Sequence, residues 1–283
     1  MAETTSKATL IEAVSDDLSL RYRGTISGAS GTDVTLVELS DIFTEALAPL
    51  AAYVCNVADP TLYRRIVDFD DLTGACVVNR AGLSDSAADV YLILTPTKWR
   101  EACNQALRAL YFTDRVTVAF VDGENLYDLQ AAAPWIHIRE QIEAIRFRWV
   151  SGGITREDAA PAYELIQDAN AVSILFHWTP ANVEDLEIIV EGRHFYEALA
   201  TEAATTTCPA QLAKARLKVE ALRKCYSVMG EQEAKLFFKD EMTRAESELV
   251  DVKKQLVPQS QSAPVHAFRQ QPGPEFALPN PRW

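Results

Sequence analysis

The sequence has no excess of basic residues. Its 27 Lys and Arg are outnumbered by 40 Asp and Glu, which gives a formal net charge of -13 at pH 7. General nucleic-acid-binding proteins neutralise phosphates with clustered Lys and Arg. The acidic balance therefore argues against that class of protein.

The sequence also lacks long apolar runs. None approaches the roughly 20 residues that a bilayer-spanning helix requires. The segment from Met1 to Lys7 is polar and has no apolar stretch of the kind found in signal peptides, so we expect no secretory signal there. With 48% hydrophobic and 24% charged residues, the composition is that of a folded protein with a substantial core.

Cysteine is scarce and irregularly spaced. The five cysteines form no C-x-x-C pair, and their odd number and wide spacing argue against a disulfide scaffold and against a zinc site. We expect reduced, buried thiols in a protein made in a cytoplasm. The positions are Cys55, Cys76, Cys103, Cys208 and Cys225.

Short catalytic and nucleotide-binding motifs are absent as well. There is no G-x-x-x-x-G-K-[ST], no G-x-G-x-x-G, no G-x-S-x-G and no H-E-x-x-H. The glycine-containing stretch Ser27–Thr32 lacks the lysine of a phosphate-binding loop and is interpreted as a turn. The four histidines have no partner at metal-ligand spacing, so a packed or hydrogen-bonded role is favoured for them: His137, His177, His194 and His266.

Two groups of residues leave an enzymatic alternative open. Asp68, Asp70 and Asp71 have the hard oxygen ligands that divalent cations prefer. Their spacing does not fit an EF-hand, and carboxylates that bond turn amides explain them more simply. His194 could act as a general base, but no nucleophile or oxyanion donor is evident near it. The sequence therefore predicts no catalytic, cofactor or metal site, and the protein is not expected to be an enzyme.

The first half of the chain predicts one short helix and a β-rich segment. Helical spacing of Leu10, Ile11, Val14 and Leu18 predicts an amphipathic helix within residues 7–22. Turn-forming residues from Gly24 to Asp33 are expected to end it. Short strands then predict a small sandwich or barrel, whose closure is left open, at Thr35–Glu38, Ala52–Val57, Arg65–Phe69, Ala75–Asn79 and Val90–Leu94.

The clearest helix follows, over residues 95–112. Thr95 is a suitable N-cap and Pro96 fits the first helical position. One apolar stripe, which includes Trp99, recurs every three or four residues and predicts that this helix is buried in the core.

A second β-rich segment is predicted for residues 113–194. Asp122-Gly123 lies between two strand-like runs, 116–121 and 126–129, and predicts a hairpin. Ser151–Ile154 and Thr179–Asn182 are interpreted as loops. Further strands are predicted at Ile142–Trp149, Tyr163–Gln167, Ser173–Trp178 and Asp185–Val190.

The chain is expected to be helical again from Phe195. Apolar residues step by three and four from Leu212 to Met229, and again from Phe238 to Leu256. Gly230 fits the position just past a helix end, which predicts a helical hairpin. One continuous helix with a glycine defect is the alternative.

These elements predict an α+β protein in which a helix bundle with a C-terminal helical hairpin forms the core. A β-barrel or sandwich-like insertion and a second β-rich region are attached to it. The predicted divisions are 1–23 for the N-terminal helix of the core, 24–94 for the β-rich insertion, 95–112 for the core helix, 113–194 for the second β-rich region, 195–257 for the C-terminal helices and 258–283 for an extended arm.

The last 26 residues have a different composition. They contain six prolines and few aliphatic residues, which predicts an extended arm without a packed core. Arg269 and Arg282 against Glu275 give the arm a charge of +1, so the remaining chain carries -14. Rigid aromatic side chains dominate binding energy at interfaces. A partner-binding role is therefore predicted for Phe268, Arg269, Phe276, Leu278, Arg282 and Trp283.

The order of these motifs resembles a known family. An N-terminal helix precedes a β-rich segment with Leu72–Val78, then Tyr91–Pro96, an Asn104-Gln-Ala-Leu107 helix core, and the hairpin-like Val121–Leu129. A charged helical hairpin and a proline-rich arm ending in Arg282-Trp283 follow. This order resembles the head-to-tail adaptor (connector) proteins of tailed double-stranded DNA bacteriophages.

The resemblance implies a virion structural protein of the phage neck, assembled in the host cytoplasm. Such adaptors form a ring, dodecameric in the family, that docks beneath the portal through C-terminal arms and carries a tail or nozzle protein on its other side. DNA leaves through the ring without specific binding, which agrees with an acidic body. Another neck or tail component such as a tail terminator or a decorating subunit, a hydrolase with an unrecognised site, and a regulatory module with a proline-rich ligand remain as alternatives.

Overall fold

The computed structural model describes residues 4–36, 51–70, 73–160, 162–168, 171–177, 185–229 and 232–256, with only the backbone of 232–234. The chain starts with a two-residue strand β1 (Thr5–Ser6) and helix α1 (Lys7–Asp17). Six strands then close into a barrel in the order β2-β3-β6-β5-β4-β7. They are β2 (Arg21–Ser30), β3 (Asp33–Thr35), β4 (Ala52–Asn56), β5 (Asp59–Phe69), β6 (Ala75–Val78) and β7 (Ser86–Leu92).

The predicted helix over 7–22 is too long, because a specific C-cap ends α1 at Asp17. Ser19 adopts φ +53 and donates its amide to the carbonyl of Asp16 at 2.9 Å. The amide of Leu20 reaches back to the carbonyl of Ser15 at 2.8 Å. This pair of bonds is a Schellman motif, which satisfies carbonyls of the last helical turn and turns the chain into β2.

The turn predicted for Gly24–Asp33 is wrong over most of its length. The segment is strand β2, which pairs with β7 from Arg21 to Ile26. Its pairing with β3 is irregular between Ser27 and Ser30, and Gly28 there has φ +66. The glycine thus serves a β-bulge inside a strand, where one residue must leave the regular ladder. Of the strand predicted at Thr35–Glu38, residues 37 and 38 lie outside the described residues.

Helix α2 (Pro96–Arg108) confirms the predicted start of the middle helix. The side chain of Thr95 accepts a hydrogen bond from the amide of Lys98 at 3.2 Å, and Pro96 occupies the first turn. Trp99 is fully buried, with 0% of its surface exposed. The helix ends at Arg108, four residues before the predicted end.

A second β unit follows α2. A four-stranded antiparallel sheet has the order β11-β10-β14-β8, and a three-stranded sheet has the order β12-β13-β9. The strands are β8 (Tyr111–Ala119), β9 (Leu126–Asp128), β10 (Ile142–Ser151), β11 (Ile154–Ala159), β12 (Tyr163–Asp168), β13 (Ala171–Phe176) and β14 (Glu187–Phe195). A core of residues from both sheets lies between them, including Ile145, Phe147, Ile174 and Ile188.

The predicted hairpin at Asp122-Gly123 is wrong, although the two residues do form a turn. β8 pairs with β14 and β9 pairs with β13, so the turn passes the chain from one sheet to the other. Strand β11 was not predicted. It forms a hairpin with β10 through Gly152 and Gly153, which both have positive φ. The loop predicted at 179–182 lies outside the described residues.

The chain returns to helices later than predicted. Residues from Phe195 to Pro209 are a strand end, a loop and the short strand β15 (Thr205–Thr206), which pairs with β1. Helices α3 (Ala210–Val228) and α4 (Gln232–Leu256) then confirm two helices in place of one continuous helix. Gly230 lies outside the described residues. No helix in the described part of the chain is long and apolar enough to cross a membrane.

The predicted fold class is wrong, because the helices do not form a core bundle. The protein is mostly β, with 42% strand against 31% helix. One continuous core joins the interior of the barrel to the helices: Ile26, Val54 and Val90 belong to the same cluster as Leu107 and Leu217. The helices close over the barrel and share its core, since neither layer alone buries its apolar side chains.

The barrel–helix unit and the second β unit are connected where the start of β8 and the end of β14 lie side by side. The chain enters β8 after Leu110 and leaves β14 at Tyr196, whose amide donates to the carbonyl of Leu110 at 3.1 Å. Each unit has its own cluster of buried residues.

Candidate interaction surfaces

Phe268, Arg269, Phe276, Leu278, Arg282 and Trp283 all lie outside the described residues. The described chain ends at Leu256, at the end of α4.

Asp68 and Asp70 of the metal alternative lie at the end of β5. A carboxylate oxygen of Asp68 accepts the amide of Phe69 at 3.0 Å, and Asp70 accepts the hydroxyl of Thr73 at 2.6 Å. Asp71 lies outside the described residues. Within the described ranges, no group of three or more His, Cys, Asp or Glu is placed to hold a metal ion.

His194 lies in the other unit, on β14, and is packed between aromatic rings. Its ring stacks on Trp135 with centroids 4.9 Å apart and planes 7° apart, and it contacts Phe112 at 4.8 Å. Its Nδ1 lies 3.1 Å from an oxygen of Asp114. His194 on β14 therefore lies in a different unit from Asp68 on β5 and from Asp70 just after it.

The packing around Trp135 depends on a glycine two residues before His194. A Cβ on Gly192 would lie 2.7 Å from the carbonyl oxygen of Gln141 and 3.2 Å from the Trp135 ring. The side-chain amide of Gln141 fixes this loop by donating to the carbonyls of Trp135 and Arg193, at 3.0 and 3.2 Å. Trp135 can therefore close over β14 only because position 192 has no side chain.

The outer face of the four-stranded sheet has alternating charges. Arg115 of β8 contacts Glu191 of β14 at 3.3 Å, and Glu191 contacts Arg146 of β10 at 3.5 Å. Arg146 contacts Glu157 of β11 at 3.6 Å, and Glu157 also contacts Arg115. We call these four residues, one from each strand, the charge ring.

The charge ring is internally neutral and covers apolar surface. Ile189 is the strand partner of Arg146 and is 0% exposed, although it lies on this outer face and outside the core between the sheets. Long arginine side chains cover apolar neighbours with their aliphatic stems. Because its charges compensate each other, the ring offers little attraction to a charged ligand.

An exposed aromatic pair lies on the outer face of the sheet, at the start of β8 and the end of β14, where the two units are connected. Tyr111 and Phe195 are strand partners, 43% and 39% exposed, with ring centroids 5.7 Å apart. The guanidinium of Arg193 lies 5.1 Å from the Tyr111 ring centroid. Tyr and Arg are the residue types that most often dominate protein interfaces.

The α3–α4 hairpin has an exposed apolar tip. Leu236 and Phe237 in the first turns of α4 are 55% and 60% exposed, and Tyr226 and Val228 at the end of α3 are 38% and 41% exposed. We call these four residues the hairpin tip. The amine of Lys235 lies 5.9 Å from the Tyr226 ring centroid. Contiguous exposed apolar residues of this kind are typical of protein-binding surfaces.

An ion-pair network around the buried side chains of Arg21 and Asp89 joins α1 to the barrel. The Arg21 side chain, 5% exposed, bonds Asp16 at 2.8 Å and Asp89 at 3.4 Å. Arg23 bonds Asp89 at 3.1 Å and Glu12 at 2.9 Å. Burial opposes the charge of Arg21, but the hydrogen bond to Asp16 and the charge of Asp89 prevail, so the pKa of Arg21 is raised above its usual value. This network has a structural role.

No protein-family model matches the chain, and a search of curated proteins finds no match.

Sequence reasoning missed both the charge ring and the hairpin tip. The ring pairs residues 42 positions apart, Arg115 and Glu157, so no local pattern predicts it. Tyr226 falls within the apolar stripe from Leu212 to Met229, yet it is 38% exposed. The doublet Leu236-Phe237 next to Phe238 was the available signal, because three adjacent residues cannot all face one side of a helix.

Proposed function

We propose that this chain is a virion structural protein, a head-to-tail adaptor that docks beneath a phage portal and connects it to the tail. The resemblance in motif order supports the family, and the acidic chain suits a channel that must let DNA pass, since like charges prevent tight binding. The mostly β architecture does not add support.

The observation that carries the proposal is the separation of two binding elements along α4. An adaptor must hold two different neighbours at once. The hairpin tip lies at the start of α4, and the proline-rich segment follows its end at Leu256. A helix of 25 residues spans about 37 Å. Two partners can therefore bind at opposite ends of this helix without competing for one surface.

The proposed roles are distinct. The segment from residue 258 onward would bind the portal through Phe268, Phe276, Leu278 and Trp283, with Arg269 and Arg282 contributing charge. Ordering of a proline-rich segment on binding can cover a large partner surface. The hairpin tip would contact the tail or nozzle protein.

The proposal is tested by mixing the purified protein with the portal and tail proteins of the same genome and measuring complex mass by light scattering. Removal of residues 258–283 should leave the melting curve unchanged and abolish portal docking. The pair L236S/F237S should keep portal docking and weaken binding of the tail protein.

Val250→Ser is the matched control for the tip, because Val250 lies on the same helix, is 49% exposed and is more than three turns away. It should change neither interaction. Undiminished portal docking by the truncated protein would contradict the proposed role of the arm. A protein that joins neither partner would contradict the adaptor function.

A further inference from the structure

The four-stranded sheet has two open edges, unlike the barrel. Its edge strands are β8 and β11, and within the described residues each pairs with one strand only, β14 and β10 respectively. An open edge presents backbone amides and carbonyls that can pair with another strand. The barrel closes on itself and has no such edge.

The directions of the strands decide how two copies can pair through these edges. All neighbours in the sheet are antiparallel, and the number of strands is even, so β8 and β11 run in opposite directions. A second copy in the same orientation therefore brings its β11 antiparallel to β8 of the first. The same operation can be repeated, which is the property of a head-to-tail interface, and such an interface gives a ring where the rotation between copies closes and a filament where it does not.

Two hydrogen bonds show which residues face outward at each edge. Tyr196 donates to Leu110 at 3.1 Å in the ladder of β8 and β14, so the odd-numbered residues of β8 point their amides away from the sheet. Ala160 donates to Ile145 at 2.9 Å, which gives the same result for the odd-numbered residues of β11. In both strands these residues, Arg115 and Glu157 among them, place their side chains on the face of the charge ring. In both edge strands, therefore, the odd-numbered residues point their backbone groups outward, and the side chains of these residues lie on the same face of the sheet.

One register also matches in side-chain chemistry. When Arg115 lies opposite Thr155, Asp114 lies opposite Arg156 and Val116 lies opposite Ile154, on the inner face. Cross-strand pairs of opposite charge and pairs of apolar side chains both stabilise sheets. A shift of two residues would place Asp114 opposite Asp158 or opposite Ile154, and the charge match would be lost.

Strand β11 carries a charged side chain without an ion-pair partner among the described residues and, next to it, a strongly exposed apolar side chain. Arg115, Arg146 and Arg148 each form ion pairs within the sheet. Arg156, by contrast, forms no ion pair with any described residue, and it is exposed. Its neighbour Ile154 is 63% exposed, the highest value among the large apolar side chains described.

We propose that β8 of one copy pairs antiparallel with β11 of a second copy of this chain, with Asp114 facing Arg156 and Val116 facing Ile154. In the single chain, Asp114 accepts the outward amide of Arg115 and Asp158 accepts that of Ala159, both at 2.8 Å. These carboxylates occupy one amide on each edge. Pairing must displace them, so the interface forms at high protein concentration and not in dilute solution.

Disulfide trapping tests the interface directly. Val116→Cys and Ile154→Cys are made in separate chains, mixed at high concentration and oxidised mildly. The five native cysteines are buried free thiols, so the parent chain should give no product. The mixture should give a covalent dimer, and the double variant V116C/I154C should give a ladder of higher oligomers.

Other outcomes overturn the proposal. A dimer from V116C alone would show two-fold pairing of β8 with itself, and no product in the mixture would show that the edges do not meet. Arg156→Glu in the I154C chain should lower the yield about fivefold, since like charges then face each other. Asp114→Lys in the V116C partner should restore the yield, provided that its melting curve shows a folded chain without the His194 contact.

The edge interface and the proposed adaptor function both fit a ring, but different results would contradict each of them. Portal docking of the cysteine variants is measured in parallel. Docking without trapping would remove the edge interface and leave the adaptor role. Trapping without docking would remove the adaptor role and leave the interface.

Discussion

The two β units of this chain differ in whether their strands leave open sheet edges. The six strands of the first close into a barrel, and four helices share its core. The seven strands of the second form two open sheets with a separate core. Closure removes edges, whereas open sheets keep them available for partners. The comparison shows that the barrel leaves no open strand edge, whereas the four-stranded sheet of the second unit keeps its edges at β8 and β11, where the proposed pairing of two copies takes place.

The two units also differ in what they bury. All five cysteines and Trp99 belong to the core of the barrel–helix unit, and the core of the second unit contains no cysteine among its described members. The ion pair of Arg21 with Asp89 is buried, while the ion pairs of the charge ring are half-exposed. Changes that act on thiols or on buried charge should therefore affect one unit and spare the other.

Alkaline pH should produce the largest difference. Burial raises the pKa of Cys55, Cys76, Cys208 and Cys225 to about 12 and that of Cys103 to about 11. Thiols in an unfolded chain titrate near 8.5, so above that pH the unfolded state loses protons that the folded state keeps. Each thiol then lowers stability by about 1.4 kcal/mol per pH unit until its folded pKa is reached.

Calorimetry from pH 8 to pH 10.5 should therefore show the transition of the barrel–helix unit falling steeply while that of the second unit moves less. Cys225→Ala removes one buried thiol and should reduce the slope by about one fifth, because five thiols contribute. Equal shifts of both transitions would show that the two units unfold as one.

Trp99→Ala should have the next largest effect. The indole is fully buried in the core shared by helices and barrel, so its removal should lower the free energy of unfolding by about 3–5 kcal/mol. Chemical denaturation monitored by circular dichroism measures this change. Trp99→Phe is the control: the indole Nε1 has no hydrogen-bond partner among the described residues, so Phe should cost less than half as much. An unchanged curve for the alanine variant would show that α2 is not core.

A matched pair of arginines compares buried with exposed charge. Arg21→Met leaves the buried carboxylate of Asp89 with Arg23 as its only ion-pair partner among the described residues, and it should cost about 3 kcal/mol. Arg146→Met breaks two half-exposed pairs of the charge ring and should cost less than about 1 kcal/mol. Urea denaturation at low and high salt measures both, and only the Arg146 effect should shrink with salt. Equal costs would remove the distinction between the two kinds of network.

The sequence predicted local features well and long-range features poorly, for physical reasons. The N-cap at Thr95 depends on residues three positions apart, so it could be read from the sequence. The turn at Asp122-Gly123 was also visible, but the sheet that each flanking strand joins depends on pairing partners about 45 to 85 residues away. Gly28 of β2 was assigned to a turn because the bulge there uses a positive φ, as many turns do.

The same contrast between local and long-range features holds for the candidate surfaces. Ion pairs across four strands, such as Arg115 with Glu157, exist only after the sheet has formed. The helical bundle was predicted because apolar stripes show that a helix is buried but not what covers it. The stripe of α2 around Trp99 packs into a core that continues through the barrel, so the helix prediction was right and the bundle prediction was wrong.

The smallest effect is expected for substitutions in the C-cap that leads the chain from α1 into β2 of the barrel. Ser19 is exposed and holds φ +53, a conformation that costs a side-chain-bearing residue about 1 kcal/mol and glycine almost nothing. Ser19→Gly should therefore raise the free energy of unfolding of the barrel–helix unit by up to about 1 kcal/mol. Ser19→Ala removes the same hydroxyl but keeps the Cβ, and it should give no gain. If the two variants behave alike, the hydroxyl and not the backbone sets the stability of this junction, and the Schellman motif is not what positions α1 on the barrel.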